Sequence, residues 1–442
     1  DRLLIIKSLL FKFKNCSSRN KSLRIIYRDK GIGCLRKMKT ADLTSTYSGN
    51  NHYARGSNQT KVRAYNERLV LTLIRQNGPM AKAEIARATG LSAQTVSVIT
   101  RALEADKLLQ KETPIRGKIG QPSVPMSLNK EGAFFLGLKV GRRSLDLVIT
   151  DFTGAIRARI NKRHSYPSPA AVIEFTHMAI ERLLNNLTNE ERDRVAGLGI
   201  AIPFRLWEWA KALGLDPKDM EDWKTEDIAE KISQKWDFPI YLQNDASAAC
   251  GAELVFGAQD RPRDFLYFFI GFFIGGGLVL DDSLYTGKTG NAAAMGPLPI
   301  RKSNGTTISL MDLASLVRLE QAVIEAGGIA ETIWENTQNW DIDPALVDTW
   351  ITATVSALVE GIIAASCIID FECVMVEGWL PEDIRARIVA GVNAKLQGVV
   401  APGIDLPTAR AGTIGSDARA LGGASLPLSD RFLIDRHGFV NH

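Results

Sequence analysis

The sequence predicts an α/β body preceded by a small helical head. Two observations predict the body. From Phe134 onward, β-rich runs alternate with helical periods, and turn signals such as Asp151–Gly154 separate them. At 442 residues the chain is too long for one compact core and suits two to four domains. The head is predicted by a third observation. Three short helical patterns between residues 62 and 106 are punctuated by Gly78–Pro79 and Gly90.

The first helix, 62–77, gathers Leu69, Val70, Leu73 and Ile74 on one face. A second runs from Ala81 to Thr89, Gly90 supplies a left-handed turn, and Ser92 caps a third helix reaching about Asp106. The alternating stretch Leu108–Leu128, broken by Gly117, Gly120 and Pro122, suits a two-stranded wing. Ile85, Leu91, Val96, Ile99 and Leu103 are apolar where a three-helix core needs them. Together these are the parts of a winged helix-turn-helix.

In the body, strands are expected at Phe134–Val140, Leu145–Thr150, Val195–Ile202, Ile240–Gln243 and Cys373–Val376. Helices are expected at 170–187, about 225–236, Ala246–Phe256, 311–326, 345–369, 381–397 and 416–426. The uncharged run Phe265–Leu280 is short of a bilayer span and holds four glycines, so it reads as two buried strands joined by a Gly-rich turn. Leu3–Phe11 is apolar but interrupted by Lys7 and followed by a basic tract, so no membrane segment is expected.

Charge is unevenly distributed. Residues 1–40 contribute +10, residues 58–120 contribute +6, and residues 121–442 contribute −11. A basic front on an acidic body points to a head that meets a polyanion, here double-stranded DNA. Residues 1–57 are expected to be a basic, disordered extension, with 1–37 lying upstream of Met38; a DNA-binding arm is the alternative. The winged head is expected over 58–130. The five cysteines, Cys16, Cys34, Cys250, Cys367 and Cys373, form no CxxC pair, which argues against a zinc knuckle and for reduced thiols in a cytosol.

The third helix carries the expected DNA chemistry. A recognition helix enters the major groove N-terminal end first, and Gln94, Thr95, Ser97, Thr100 and Arg101 are its polar residues, beginning at Ser92. Gln94 can pair with the adenine edge, and Thr95 or Ser97 can reach either kind of edge. Lys82, Arg101, Lys107 and Lys111 are candidates for phosphate contacts. Arg116 and Lys118 flank Gly117 at the wing tip, within reach of a minor groove.

Four motifs in the body resemble a known family. They are Val195–Pro203, Leu242–Ala249 with its Asn244–Asp245–Ala246 core, the glycine-rich stretch Gly275–Asp281 continuing to Gly290–Ala292, and Gly415–Ala424. In this order and spacing they are similar to the ROK family of repressors, open reading frames and sugar kinases, and the winged head resembles that of the family's repressors. The resemblance implies an actin-like, ribonuclease H-like two-lobed body with a sugar site in the cleft, and a dimer or tetramer. It implies a first lobe over 131–243 and a second over 244–442, whose last helices return to the first. It implies ligand contacts from Asn244, Asp245 and Asn291, with Asp245 as the base of the kinase relatives. Asn244 and Asp245 also suit a helix cap before Ala246.

The departures argue against phosphoryl transfer. Lys139–Arg143 stands where the family has Asp-x-Gly-Gly-Thr, and Phe272 and Phe273 stand where the second phosphate loop has Thr-Gly. Backbone amides cradle phosphate only where small residues allow close approach. Ala294–Pro297 replaces Glu-x-Gly-His, and residues 298–320 contain no cysteine, so no metal or cofactor is expected. Trp207, Trp209 and Trp223 are expected either at the cleft or in core packing. The expected function is a DNA-binding regulator, more often a repressor, with a catalytically inactive sensor body. The alternative is a hexose kinase using Asp245.

Overall fold

The computed structural model describes residues 59–115, 123–210, 214–301 and 305–434, excepting the side chains of residues 59, 60 and 209. The expected wing-tip residues Arg116 and Lys118, and the whole extension 1–57, lie outside the described residues.

The head is built from α1 (Gln59–Asn77), α2 (Lys82–Thr89) and α3 (Ala93–Ala105), followed by β1 (Leu109–Lys111) and β2 (Met126–Leu128). Gly90 closes α2 in the left-handed region at φ 70°, a conformation that costs glycine no Cβ clash. Ser92 caps α3, its hydroxyl accepting from the Thr95 amide. The strands β1 and β2 pair antiparallel, and Met80 bridges to Met126, tying the wing back to the turn before α2.

The body contains two five-stranded sheets. The first comprises β3 (Phe134–Val140), β4 (Ser144–Thr150), β5 (Ile156–Arg163), β6 (Val195–Ile202) and β7 (Ile240–Asn244), in the order β5-β4-β3-β6-β7. The second comprises β8 (Phe265–Ile270), β9 (Ile274–Leu280), β10 (Ser283–Leu284), then β13 (Cys373–Gly378) and β14 (Thr408–Ala411), in the order β10-β9-β8-β13-β14. A small ribbon of β11 (Pro299–Arg301) and β12 (Thr307–Ser309) lies between them in sequence. In each large sheet, three antiparallel strands are followed by two parallel ones. This is one topology built twice, as in the actin-like fold. Phe265–Leu280 forms the hairpin β8–β9, as its glycines suggest.

The longer body helices are α4 (Pro169–Asn185), α5 (Asp245–Phe256), α6 (Leu316–Glu325), α7 (Pro344–Ser366), α8 (Glu382–Gln397) and α9 (Ala418–Phe432). Helix α7 is long and apolar enough to cross a membrane, but Val347, Trp350, Ile351 and Leu358 belong to the core of the second lobe. Helices α5 and α9 pack against each other between the sheets, and small residues permit the approach. A Cβ on Gly422 would fall 2.0 Å from the Ala248 carbonyl oxygen, and one on Gly199 of β6 would fall 1.8 Å from that of Gly423.

The head shares a core with the body. Val70, Leu71 and Ile74 of α1 cluster with Phe135, Phe152 and Phe432. Burying those side chains provides the main attraction between the two. Arg75, enclosed at the same junction, donates to the carbonyls of Phe152 and Thr153, and its guanidinium lies 5.4 and 5.7 Å from the ring centres of Phe152 and Phe256. Burial lowers its pKa to about 10, still far above neutrality.

Candidate nucleic-acid interface and ligand cleft

Helix α3 turns one side to the core. Val96, Ile99, Thr100 and Leu103 are buried on it. Residues at i, i+4 and i+7 share a face, so Gln94, Val98 and Arg101 form the opposite stripe, and all three are exposed. Thr95 and Ser97 flank that stripe and are half-buried, and Ser92 is exposed at the N-terminus. Thr100 is a correction. It was expected to reach DNA, but it is completely buried and its hydroxyl donates to the Val96 carbonyl at 2.8 Å. The turn of 100° per residue puts position 100 beside 96, on the core side, whatever its polarity.

Lys82 is half-buried at the start of α2. Lys111 pairs with Glu104 at 2.7 Å, and Lys107 pairs with Glu190 of the first lobe. A groove of about 440 Å³ runs between α1 and α3, lined by Val62, Arg63, Asn66, Gln94, Thr95 and Val98 among others. Arg63 and Val98 were not singled out from the sequence. Helical spacing was the available signal for both.

The cleft between the lobes is reached by the N-termini of α5 and α9. Asn244 caps α5, its side-chain oxygen accepting from the amides of Ala246 and Ser247 at 3.0 and 3.3 Å. Asp245 is the first helical residue rather than a cap, and its Oδ2 lies 3.4 Å from Nη1 of Arg419. Asn291 is exposed on the segment after Gly290, and the structure gives no contact joining it to the other two. Lys139, near the end of β3, is 6% exposed and donates to the Ser144 hydroxyl at 2.9 Å. Burial first, then the nearby Arg419, lowers its pKa to about 7, partly opposed by Asp146 and Asp245. Arg159 links this group outward, to Asp417 at 2.5 Å and to Asp146 at 3.4 Å.

Across the cleft the two hairpin tips touch. Arg142 of the β3–β4 turn lies 4.3 Å from the ring centre of Phe273 in the β8–β9 turn. Arg143 lies 5.4 Å from Phe272 and 4.8 Å from Trp334, and it ion-pairs with Glu320 of α6. Trp334 donates to that same carboxylate at 3.0 Å, so Glu320 fixes both partners. The Phe272 turn is itself held on α6, whose Leu316 and Val317 amides donate to the Gly271 and Phe272 carbonyls. Glu320 and Trp334 were absent from the sequence expectations because their role exists only once the two lobes meet.

Comparison with known proteins matches two parts of the chain. The ROK family profile matches residues 135–308, and a winged helix-turn-helix DNA-binding profile matches residues 63–110. The chain therefore carries a ROK family domain behind a winged helix-turn-helix.

Among its relatives, y4fQ of Sinorhizobium fredii is 28% identical over 377 residues, covering 83% of this chain and 91% of its own length. The xylose repressor of Bacillus subtilis is 26% identical over 251 residues, covering 55% of this chain and 62% of its own. A crystal structure of a ROK family transcriptional regulator, a homologue of the Escherichia coli Mlc protein, superimposes with a TM-score of 0.61 at 20% identity, over 84% of this chain and 97% of that one. A ROK glucokinase from Streptomyces griseus, solved with glucose and AMPPNP, gives 0.50 at 19% identity, over 66% of this chain and 99% of that one. These two structural likenesses establish the fold.

The two hairpin turns, Gly141–Arg143 and Gly271–Phe273, are those that the sequence resemblance aligns with the kinase phosphate motifs. Here their side chains stack on one another, Arg142 on Phe273 and Arg143 on Phe272, with Trp334 beside Phe272. Lys139 stands where that resemblance has an acid. Trp223 belongs to the first-lobe core, its indole donating to the Pro167 carbonyl at 2.8 Å, which decides it for packing.

Proposed function

We propose that this ROK protein is a DNA-binding transcriptional regulator, a repressor, whose kinase-like body senses a small molecule without phosphorylating it. The observation that carries the reading is the capped helix α3, which presents Gln94 and Arg101 outward from a three-helix head with a wing. In this reading Arg101 grips phosphate, Gln94 reads a base, and Ser92, Thr95, Ser97 and Lys82 support them. Arg116 and Lys118 at the wing tip complete the proposed contact. The protein acts in the cytoplasm as a homodimer or homotetramer, whose two-fold symmetry matches a pseudo-palindromic operator.

The body supplies a route from cleft to head. Helices α5 and α9 both begin at the cleft, at Asp245 and Arg419, and both end beneath α1, at Phe256 and Phe432. A sugar effector held by Asn244, Asp245 and Asn291 would shift lobe closure, and with it the floor on which α1 rests. It must bind the closure states with different affinity to do so. The stacked side chains of the two turns favour this reading over a hexose kinase using Asp245.

Selection of bound duplexes from a random pool, with and without pentoses and hexoses, tests the proposal. Enrichment of a two-fold symmetric site whose occupancy changes with one sugar is the expected result. Arg101→Ala is expected to weaken binding to all sequences and reduce the salt slope by about one, while Gln94→Ala relaxes preference at one base pair by about 1–3 kcal/mol. Unchanged binding by both variants would remove α3 from the interface. Sugar-dependent ATP turnover abolished by Asp245→Ala would instead establish the kinase.

A further inference from the structure

We infer that Val98 is a specificity residue of the recognition helix, reading the 5-methyl group of a thymine in the major groove. The inference rests on the DNA-binding reading above and adds a chemical class of contact to it. Val98 is 53% exposed, although it is a large apolar side chain on a helix whose other apolar residues of that size, Val96, Ile99 and Leu103, are all buried. A single exposed valine would ordinarily mean nothing. This one stands in the middle of the outward stripe, four residues after Gln94 and three before Arg101. Its surroundings repeat the character. Val62 of α1, 41% exposed, lines the same groove between α1 and α3.

A helix that lays this stripe in the groove has to set something apolar against Val98, since burying it against a bare donor or acceptor would strip that group of water with no partner. The thymine methyl is the apolar group on the floor of the major groove. Position follows from helix geometry. Four residues rise about 6 Å, or roughly two base steps at about 3.4 Å each. The thymine is therefore expected within about two base pairs of the position that Gln94 reads.

The experiment uses the full chain and the duplex selected above. Each thymine in one half-site is replaced in turn by deoxyuridine, which removes only the methyl group, and affinity is measured at fixed salt. Wild type is expected to lose about four-fold at one thymine, the effect of one methyl-sized group returned to water. Val98→Ala should bind more weakly and lose that discrimination to within two-fold, while Arg101→Ala, weaker overall, should keep it. Circular dichroism checks that both variants retain the helical head. Equal binding of thymine and uracil sites by wild type, or full discrimination by Val98→Ala, overturns the inference while leaving DNA binding intact. Failure of the wild-type chain to enrich any duplex overturns both readings together.

Discussion

The tips of the two lobes occupy the same place in the same topology and carry opposite chemistry. In the first lobe the strand ends Lys139–Val140 and turns through Gly141–Arg142–Arg143; in the second it ends Phe269–Ile270 and turns through Gly271–Phe272–Phe273. Corresponding positions carry cations in the first and rings in the second. Arg142 and Arg143 lie on the faces of Phe273 and Phe272, an arrangement in which the ring quadrupole attracts the guanidinium. Arg419 stands between the strand ends, 4.8 Å from the Phe269 ring centre and close enough to depress the pKa of Lys139. Fold duplication thus preserves the geometry of two facing turns while leaving their side chains free to change. In this chain the two facing turns hold each other.

The largest expected effect concerns what keeps the two lobes in register. Helices α5 and α9 cross with an asymmetry. Gly422 of α9 has no room for a methyl group, whereas a Cβ on Gly251 of α5 would meet its nearest neighbours at an ordinary 3.5 Å. Gly422→Val is expected to destabilise by about 3–5 kcal/mol, since backbone rather than a flexible side chain must move. Gly251→Ala is expected to be neutral or to stabilise by up to about 1 kcal/mol through helix propensity. Urea unfolding of the two variants measures the difference. Similar losses in both would show that the lobes do not depend on close approach at Gly422.

Much of this was legible beforehand, and the failures have physical causes. The hairpin β8–β9 could be read from Phe265–Leu280 because length and glycine content distinguish two strands from a span. The head could be read from Gly90 and Ser92, local signals that need no tertiary context. Thr100 is polar yet buried, because angular position on the helix and not polarity sets which face it joins. At the cleft, the bulky replacements at Arg142, Arg143, Phe272 and Phe273 were visible singly. Their pairing was not, because the turns lie about 130 residues apart and no local pattern records which side chains will face each other. Glu320 and Trp334 carry no motif at all.

A second test makes the strand ends alike. Lys139→Met gives the first lobe an apolar residue where the second has Phe269. The groups around the ammonium are Asp146 on β4, Arg159 on β5, Asp245 on α5 and Arg419 on α9, with the Trp379 ring 5.9 Å away. Below about pH 7 the ammonium is charged in both the folded and the unfolded chain, and the fold bears the cost of burying it. Between about pH 7 and the unfolded value of 10.5, the folded chain gives up a proton that the unfolded chain retains, so stability rises with pH. Removing the amine should therefore stabilise by about 2–4 kcal/mol at pH 6 and by progressively less towards pH 10. Denaturant midpoints at the two pH values give the answer. A gain that is the same at both would mean that the amine is not titrating within the fold.

The smallest effect bears most directly on whether the tips hold each other. Arg142→Ala and Phe273→Ala each remove packing within their own lobe as well as the contact across the cleft, so neither variant alone measures the contact. Their double-mutant cycle does, because losses private to each lobe cancel. Arg142 is 9% exposed, so its attraction to the ring is little screened by water, and a coupling of about 1–2 kcal/mol is expected. The same cycle between Arg142 and Phe152, a ring at the head junction, supplies the reference and should couple by less than about 0.5 kcal/mol. A tip coupling no larger than that reference would mean that the facing turns merely fill the cleft, and that lobe closure is set instead by Glu320, through its bonds to Arg143 and Trp334.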